Sequence, residues 1–291
     1  MSFRERLEQG EFVITCEAAP PKGVTVERLL EEAESAAPYV HAFNVTDLQS
    51  SVMRMSSWAL CSLLRQRGLE PVFQLTCRDR NRLALQADLL GAWALGIENV
   101  LALTGDHTTL GDHPDAMPVF DLDSIQLLDV IGKLNAGQDL VGNELKGATG
   151  FFPGVVVNPA ADPLEPHLAK LRLKVRLGAQ FVQTQAVYDA EAYERFARRI
   201  EGLGVPVLAG IIPLKSAKMA RFMNENIAGV HVPEEVIGEL EAATSKEGRV
   251  QRSIELCART IRAVRPLCQG VHLMPMGWER HVPAILERAA L

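Results

Sequence analysis

From residue 12 almost to its end, the chain alternates short apolar runs rich in β-branched residues with longer amphipathic stretches. Short runs that end in Gly, Pro, Asn or Asp predict strands, and the longer stretches have the spacing of helices. Eight strands are predicted, over residues 12–18, 42–47, 71–77, 99–105, 154–158, 181–186, 205–213 and 270–276. Strands that alternate with helices are parallel and are joined by right-handed crossovers. Eight such units favour an α/β fold of the closed (β/α)8 TIM barrel type.

The alternative is an open, doubly wound sheet. A sheet of that kind that binds nucleotides usually carries Gly-x-Gly-x-x-Gly after its first strand, and that spacing does not occur here. The eight units account for nearly all of the 291 residues, so we expect a single domain over residues 1–291. The remaining length is predicted to form a long loop at 107–118 and two helices within 233–265, one of them an extra helix before strand eight.

Several residues predict where helices begin and end. Asp162 precedes Pro163 and Glu165, which is the pattern of a capping box, and Asp123 and Ser216 are predicted N-caps. Glycines that follow apolar helical runs predict C-terminal caps. These glycines are Gly68, Gly96, Gly178 and Gly204.

Composition excludes several classes of function. The formal net charge is -6 with no basic stripe, which argues against a nucleic-acid partner. The longest apolar stretch, residues 89–97, is far shorter than the roughly 20 residues that span a bilayer. The charged N-terminus does not resemble a signal peptide. Five cysteines without a Cys-x-x-Cys pair indicate neither a disulfide framework nor a zinc site, so we expect a cytoplasmic protein with no bound metal.

In a barrel enzyme the active site lies at the carboxyl ends of the strands. Glu17 ends strand one and is followed by Ala-Ala-Pro-Pro, so its carboxyl group is expected to be partly desolvated, which suits a general acid. The other interpretation is a salt bridge to Arg78. Asp106 follows Gly105 and is either a turn residue or part of a site where a flat ligand approaches the backbone.

These residues belong to segments that resemble the flavin-dependent methylenetetrahydrofolate reductases, in particular the short bacterial members. The similarity covers essentially the whole chain, and the order and spacing of the matching segments make it specific. The matching segments are Glu17-Ala-Ala-Pro-Pro-Lys, Val45-Thr46, Gln74-Leu-Thr-Cys-Arg-Asp-Arg-Asn-Arg, Leu95 to Asp106, Thr184-Gln185 with Tyr188-Asp189, Gly210-Ile-Ile-Pro213 and Gly270-Val-His-Leu-Met-Pro-Met-Gly-Trp-Glu.

The resemblance implies a barrel that carries a flavin and reduces 5,10-methylenetetrahydrofolate to 5-methyltetrahydrofolate, with NADH or NADPH as the electron source. It places the chain in one-carbon metabolism, including methionine biosynthesis. Glu17 would protonate the folate N10 so that the imidazolidine ring opens, and hydride would come from the flavin N5. Asp106 would contact the pterin and tune the flavin, and Gln185 would bind folate. The implied flavin contacts are Thr46, Gln74, Thr104, Gly105, Asp106, Asn158 and Lys174.

The chain departs from the family at several of these positions. Family members often have Arg, His, Tyr and His where this chain has Thr104, Gln74, Asp47 and Asn158, and polar residues where it has Met219 and Trp278. Fewer cations are thus expected for a pyrophosphate, so FAD is the first expectation and FMN the alternative. Lys174 is either a phosphate partner or a solvated helix lysine.

Partners and alternatives follow from the same resemblance. Short relatives work with a small partner subunit and accept electrons from a redox partner protein, so we expect an oligomer with a partner subunit as an option. Two other functions stay open. The first is a flavin-free, folate-dependent methyltransferase, suggested by the small number of cations. The second is a subunit that is active only within a larger electron-transfer complex.

Overall fold

The computed structural model describes residues 1–227 and 229–291. Its strands form a closed barrel in which each strand pairs in parallel with its sequence neighbours, and β8 closes against β1. The strands are β1 Val13–Ala18, β2 Ala42–Val45, β3 Pro71–Thr76, β4 Asn99–Leu103, β5 Phe152–Val157, β6 Phe181–Ala186, β7 Val207–Ile211 and β8 Gly270–Leu273. The predicted TIM barrel is confirmed.

The helices lie around the barrel and bury their apolar faces against the strands. They are α1 Phe3–Glu8, α2 Glu27–Ala36, α3 Ser57–Gln66, α4 Arg82–Ala94, α5 Ser124–Asn135, α6 Glu165–Arg176, α7 Ala190–Ile200, α8 Ala217–Asn226, α9 Glu234–Glu241, α10 Lys246–Val264 and α11 Val282–Arg288. The two helices predicted within 233–265 are α9 and α10. The loop predicted at 107–118 contains a single 3₁₀ turn, Thr108–Leu110.

Several strands end earlier than the sequence predicted. β2 ends at Val45 rather than at 47, β4 at Leu103 rather than at 105, and β8 at Leu273 rather than at 276. The residues that follow these strands leave the parallel pairing with the neighbouring strands. Thr46, Thr104 and Gly105 therefore lie on loops at the barrel rim.

Most of the predicted helix ends are confirmed. Asp123 accepts from the backbone N–H groups of the first turn of α5, and Ser216 does the same for α8. The four cap glycines all have positive φ, between 71° and 102°. The capping box at Asp162 is wrong, because α6 begins at Glu165 with no side-chain cap. Pro166 occupies its first turn, where a missing N–H is tolerated.

The sequence did not predict α1, which closes the amino-terminal end of the barrel. Phe3 is fully buried, and its ring meets those of Phe152 and Phe181 edge to face at centroid distances of 5.8 and 5.1 Å. Ser2 and Glu5 form a capping box that begins the helix. Because this end is filled by apolar side chains, the carboxyl ends of the strands are where the barrel is open.

Two further findings concern the cysteines and the length and apolar character of the helices. All five thiols are free and buried. Among residues 1–227 and 229–291, no helix combines the length and the apolar character required to cross a bilayer.

Candidate active site

A cavity of about 500 Å³ opens at the carboxyl ends of the strands. It is lined by eight of the nine residues that the sequence placed in the site, namely Glu17, Gln74, Thr104, Gly105, Asp106, Asn158, Lys174 and Gln185. The ninth, Thr46, does not line the cavity. It is buried, and its Oγ1 has no hydrogen-bond partner among the residues that the structure describes.

Glu17 lies on β1 two residues after Thr15, so both side chains point into the barrel. Its side chain is 10% exposed, with Oε1 3.9 Å from Nε2 of His272 and Oε2 accepting from Gln49 Nε2 at 3.4 Å. The salt bridge to Arg78 is wrong, because Arg78 pairs with Asp79 instead. The carboxyl group is therefore largely shielded from water and faces an imidazole.

His272 was not among the predicted site residues, although its segment carried part of the resemblance. It lies on β8 opposite Thr15, and its Nδ1 is 2.9 Å from Thr15 Oγ1. Gln183 Nε2 donates to Thr15 Oγ1 at 3.3 Å and exchanges hydrogen bonds with the Asn44 amide. These four side chains form a polar layer across the barrel below Glu17, and the layer becomes apparent only once the barrel closes.

The loop after β4 carries Gly105 and Asp106. Gly105 has a φ of 93°, and a Cβ there would lie 3.1 Å from the Cβ atoms of both Thr76 and Arg78. Glycine is therefore required by both conformation and space. The Asp106 side chain is exposed at the cavity wall, whereas its main-chain oxygen accepts from Arg78 Nη1 at 3.2 Å. Thr104 Oγ1 accepts from the Ser124 N–H at the start of α5.

Lys174 is a buried lysine of α6, and its Nζ donates to the main-chain oxygen of Val156 at 3.1 Å. Burial, together with the nearby charge of Lys170, lowers its pKa. Besides Lys174, the cavity is lined by Lys170 and His167 of the same helix, which the sequence analysis did not single out. Lys170 lies four and His167 seven residues before Lys174 on one helix face, a spacing that the sequence already contained.

Asp47 lies among the strand-end residues but is committed to the framework. It is fully buried and accepts from Arg80 Nη1 at 2.7 Å, from the Thr76 N–H at 2.9 Å and from Thr76 Oγ1 at 2.8 Å. Gln74 is nearly buried at the cavity edge. Asn158 Oδ1 accepts from the Ala160 N–H, and Gln185 Oε1 from the Ala186 N–H.

The cavity wall at β4 and β5 is apolar. It includes Leu101, Leu103 and Val156. Val156 is 38% exposed although it lies within a strand, because its side chain faces the open cavity. The site thus combines an apolar wall, a shielded carboxyl group on β1 and two lysines on α6, and a mainly apolar lining with a few placed polar groups is typical of ligand pockets.

The chain is similar to known proteins along most of its length. The family model for methylenetetrahydrofolate reductase matches residues 2–290. A probable methylenetetrahydrofolate reductase (NADPH) of Caenorhabditis elegans is 27% identical over 244 residues, which is 81% of this chain and 34% of that protein. A 5,10-methylenetetrahydrofolate reductase of Pectobacterium carotovorum subsp. carotovorum is 28% identical over 217 residues, which is 72% of this chain and 67% of that protein. The chain thus spans about a third of the nematode relative and two thirds of the bacterial one.

Among solved structures, the chain is similar to an uncharacterized protein from Clostridium thermocellum that binds two copies of 5-methyl-5,6,7,8-tetrahydrofolic acid. The TM-score is 0.63 at 15% identity, over 98% of this chain and 96% of that one. At this identity the likeness shows the fold alone. The match of the family model over nearly the whole sequence shows more than the fold: the chain belongs to the methylenetetrahydrofolate reductase family.

Proposed function

We propose that this chain reduces 5,10-methylenetetrahydrofolate to 5-methyltetrahydrofolate with the help of a bound flavin, as a single catalytic barrel over residues 1–291. The observation that carries the proposal is one cavity that brings together the shielded carboxyl group of Glu17, the exposed carboxylate of Asp106 and the amide of Gln185. Membership of the family supports the substrate and the reaction.

The residues of the cavity fit a flavin. Gly105 presents no side chain on the loop that lines the cavity, and the buried hydroxyl of Thr46, which lies just after β2 and outside the cavity lining, has no partner among the described residues. The apolar wall suits an aromatic ring system, and the lysines of α6 suit phosphate. The residues proposed to hold it are Thr46, Gln74, Thr104, Gly105, Asp106, Asn158 and Lys174. We propose FAD, with FMN as the alternative. When bound, the flavin supplies the hydride that the one-carbon unit gains.

Glu17 is proposed to supply the proton of the reaction. Overall, the one-carbon unit gains a hydride and the folate N10 gains a proton, as the bond between the one-carbon unit and N10 breaks. A general acid within a shielded site contributes to such a step because its proton is not lost to bulk water. Asp47 is also shielded and lines the cavity, but it pairs with Arg80, so Glu17 is the better candidate for the acid.

Asp106 and Gln185 are proposed to bind and orient the pterin. Asp106 follows β4 and Gln185 lies on β6, and these strands flank β5, which lies across the closed barrel from β1, so both residues line the cavity on the side away from Glu17. Fixed polar groups of this kind raise the fraction of bound substrate that has a reactive orientation.

Electrons are proposed to come from NADH or NADPH, or from a redox partner protein, and the family suggests an oligomer in the cytoplasm with an optional small partner subunit. The flavin-free methyltransferase rested on a scarcity of cations. Because Lys170 adds a second lysine to the cavity beside Lys174, the reductase is the function we propose.

The cofactor and the substrate can be tested together on the purified full-length chain. We expect the visible absorbance of an oxidised flavin, release of FAD on denaturation, and bleaching when 5-methyltetrahydrofolate is added without oxygen. A colourless protein that takes up neither FAD nor FMN would overturn the proposal. Methyl transfer to an acceptor without any redox change would instead support the methyltransferase.

A further inference from the structure

A second cavity, of about 260 Å³, lies outside the barrel wall, between the strands β1 and β2 and the helices α2 and α11. Cys16 and Ala18 alternate along β1 with Thr15 and Glu17, so their side chains point away from the barrel interior. Both line this space, which we call the α2 cavity. Among the described residues, Glu17 is the one that lines both the α2 cavity and the candidate active site.

The buried part of the α2 cavity is lined by small and apolar side chains. Ala18 of β1 and Ala33 and Ala36 of α2 are buried alanines, and Phe43 of β2 and Val282 of α11 complete this part. Because alanines stand where strand and helix meet, space remains between the two elements. An apolar cavity of about 150 Å³ already binds benzene, so the α2 cavity has room for an aromatic ring with a short substituent.

The exposed edge of the α2 cavity carries an excess of negative charge. Arg28 pairs with Glu32 one helical turn later, with Nε and Oε1 2.8 Å apart, so these two charges offset each other. Glu279 is half-buried, and its Oε1 accepts from the Gly277 N–H at 2.9 Å. Within residues 1–227 and 229–291, no lysine or arginine forms an ion pair with Glu279. Its negative charge therefore stays available at the entrance.

This charge also acts on the interior of the α2 cavity. Burial raises the pKa of the Cys16 thiol, and the carboxylates of Glu17 and Glu279 raise it further. The Cys16 thiol is therefore neutral at ordinary pH, and the cavity combines apolar walls with a negative potential that comes from carboxylates.

We infer that the α2 cavity is a second binding site, for a small amine with an aromatic body. The ring would lie against Phe43 and the alanines, and the ammonium group would face Glu279. An anion of the same size is disfavoured by the same carboxylate, so charge selects among ligands that fit equally well. The inference does not depend on the proposed function, because binding here requires neither flavin nor folate.

The test titrates purified full-length protein with phenethylamine and with phenylacetate, which are similar in size and opposite in charge, and follows the amide NMR signals. Phenethylamine should shift the amides of β1, α2 and the start of α11, with a Kd on the order of 1 mM, as suits a ligand of about nine non-hydrogen atoms. Phenylacetate should bind there about 10-fold more weakly, because attraction to the carboxylate becomes repulsion.

Two substitutions separate the contributions of charge and space. Glu279→Gln should remove most of the preference for the amine, whereas Glu235→Gln, at an exposed position of α9, should keep it. Ala33→Leu fills the α2 cavity and should abolish binding of phenethylamine. Ala284→Leu, at an exposed position of α11, is the matched control and should bind as the wild type does.

Three results would each overturn the inference. They are amide shifts confined to the candidate active site, equal affinity for the amine and the carboxylate, and unchanged binding in Ala33→Leu. If Ala33→Leu does not fold, Glu279→Gln decides, since a preference for the amine that survives this substitution contradicts the role of Glu279. A protein without flavin or folate turnover would refute the proposed function and leave these expectations as they are.

Discussion

The guanidinium group of Arg78 donates to the main-chain oxygen of Asp106 across 3.2 Å. The same group donates to the main-chain oxygen of Leu48 and pairs with the Asp79 carboxylate, and its side chain is only 2% exposed. Leu48 and Asp106 lie on the loops after β2 and β4. One buried cation therefore joins three neighbouring loops at the rim of the cavity.

Replacing this cation should weaken both the fold and the site. In Arg78→Met, two carbonyl oxygens and a carboxylate lose their partner, so we expect the free energy of unfolding to fall by about 3 kcal/mol. Arg78→Lys should be intermediate, because it keeps the charge without the planar fork of donors. Denaturant unfolding measures the stability, and flavin titration measures the site.

The matched control for Arg78 is Arg82, which pairs with Asp121 at the protein surface. Arg82→Met should leave unfolding and flavin affinity nearly unchanged, because surface ion pairs contribute little. If the two methionine substitutions lowered the free energy of unfolding and the flavin affinity equally, the burial of Arg78 would not explain its contribution.

Replacing Lys174 should not lower the stability of the flavin-free protein, but it should weaken the binding of flavin. Burial and the neighbouring Lys170 lower its pKa, so the folded apoprotein disfavours the charged form. This penalty is present below the lowered pKa and disappears as the pH rises past the ordinary lysine pKa. Lys174→Met should therefore leave the apoprotein at least as stable at neutral pH and gain less stability in alkali than the wild type.

The same substitution should lower the affinity for flavin. Loss of one charge-assisted contact to phosphate predicts about a 10-fold weaker flavin complex for Lys174→Met. The exposed Lys146→Met serves as the control for loss of charge. Undiminished flavin affinity would instead indicate that Lys174 acts only through its bond to the Val156 oxygen.

Asp112 connects three loops of the rim. It accepts from Lys22 Nζ and from the Met53 N–H at 2.9 Å, and these bonds with that from His113 hold the pKa of its carboxyl group well below its usual range. A lowered pKa of an acid stabilises the folded loops above the ordinary pKa, and this stabilisation is lost only as the pH falls through the lowered value. Hydrogen exchange at the Met53 amide should therefore stay slow through the normal range of aspartate titration.

Asp112→Ala should make the Met53 amide exchange rapidly at every pH, whereas Asp115→Ala, in the same loop, should not. Exchange in the wild type that already accelerates near the ordinary aspartate pKa would contradict the three-loop connection.

The barrel itself could be predicted from the sequence because the alternation of strands and helices is repeated eight times and each repeat is local. Helix α1 was missed because it is a short segment with charges of both signs. Its one local signal was the capping box of Ser2 and Glu5. That Phe3 is buried follows from the hollow end of a closed barrel, which no local pattern contains.

The candidate site likewise has features that the local sequence predicts and features that depend on the closed barrel. Glu17 could be selected from its own neighbours in the chain, and it does line the cavity. Its contact with His272 could not, because the two residues are 255 positions apart and meet only through the closing pair of β1 and β8. Asp47 has the same local features as a site residue, yet it pairs with Arg80, which lies 33 positions away. Whether a strand-end carboxylate is free or paired depends on contacts between elements.

The role of Glu17 is tested most directly by single-turnover reoxidation of the reduced flavoprotein with 5,10-methylenetetrahydrofolate, compared between the wild type and Glu17→Gln. Glu98→Gln, an exposed residue at the opposite end of the barrel, is the control. We predict that all three proteins accept electrons from the donor alike, that the wild type and Glu98→Gln form 5-methyltetrahydrofolate, and that Glu17→Gln slows this step by about 100-fold or more. Reoxidation of Glu17→Gln by folate at the wild-type rate would contradict the assignment of Glu17 as the acid.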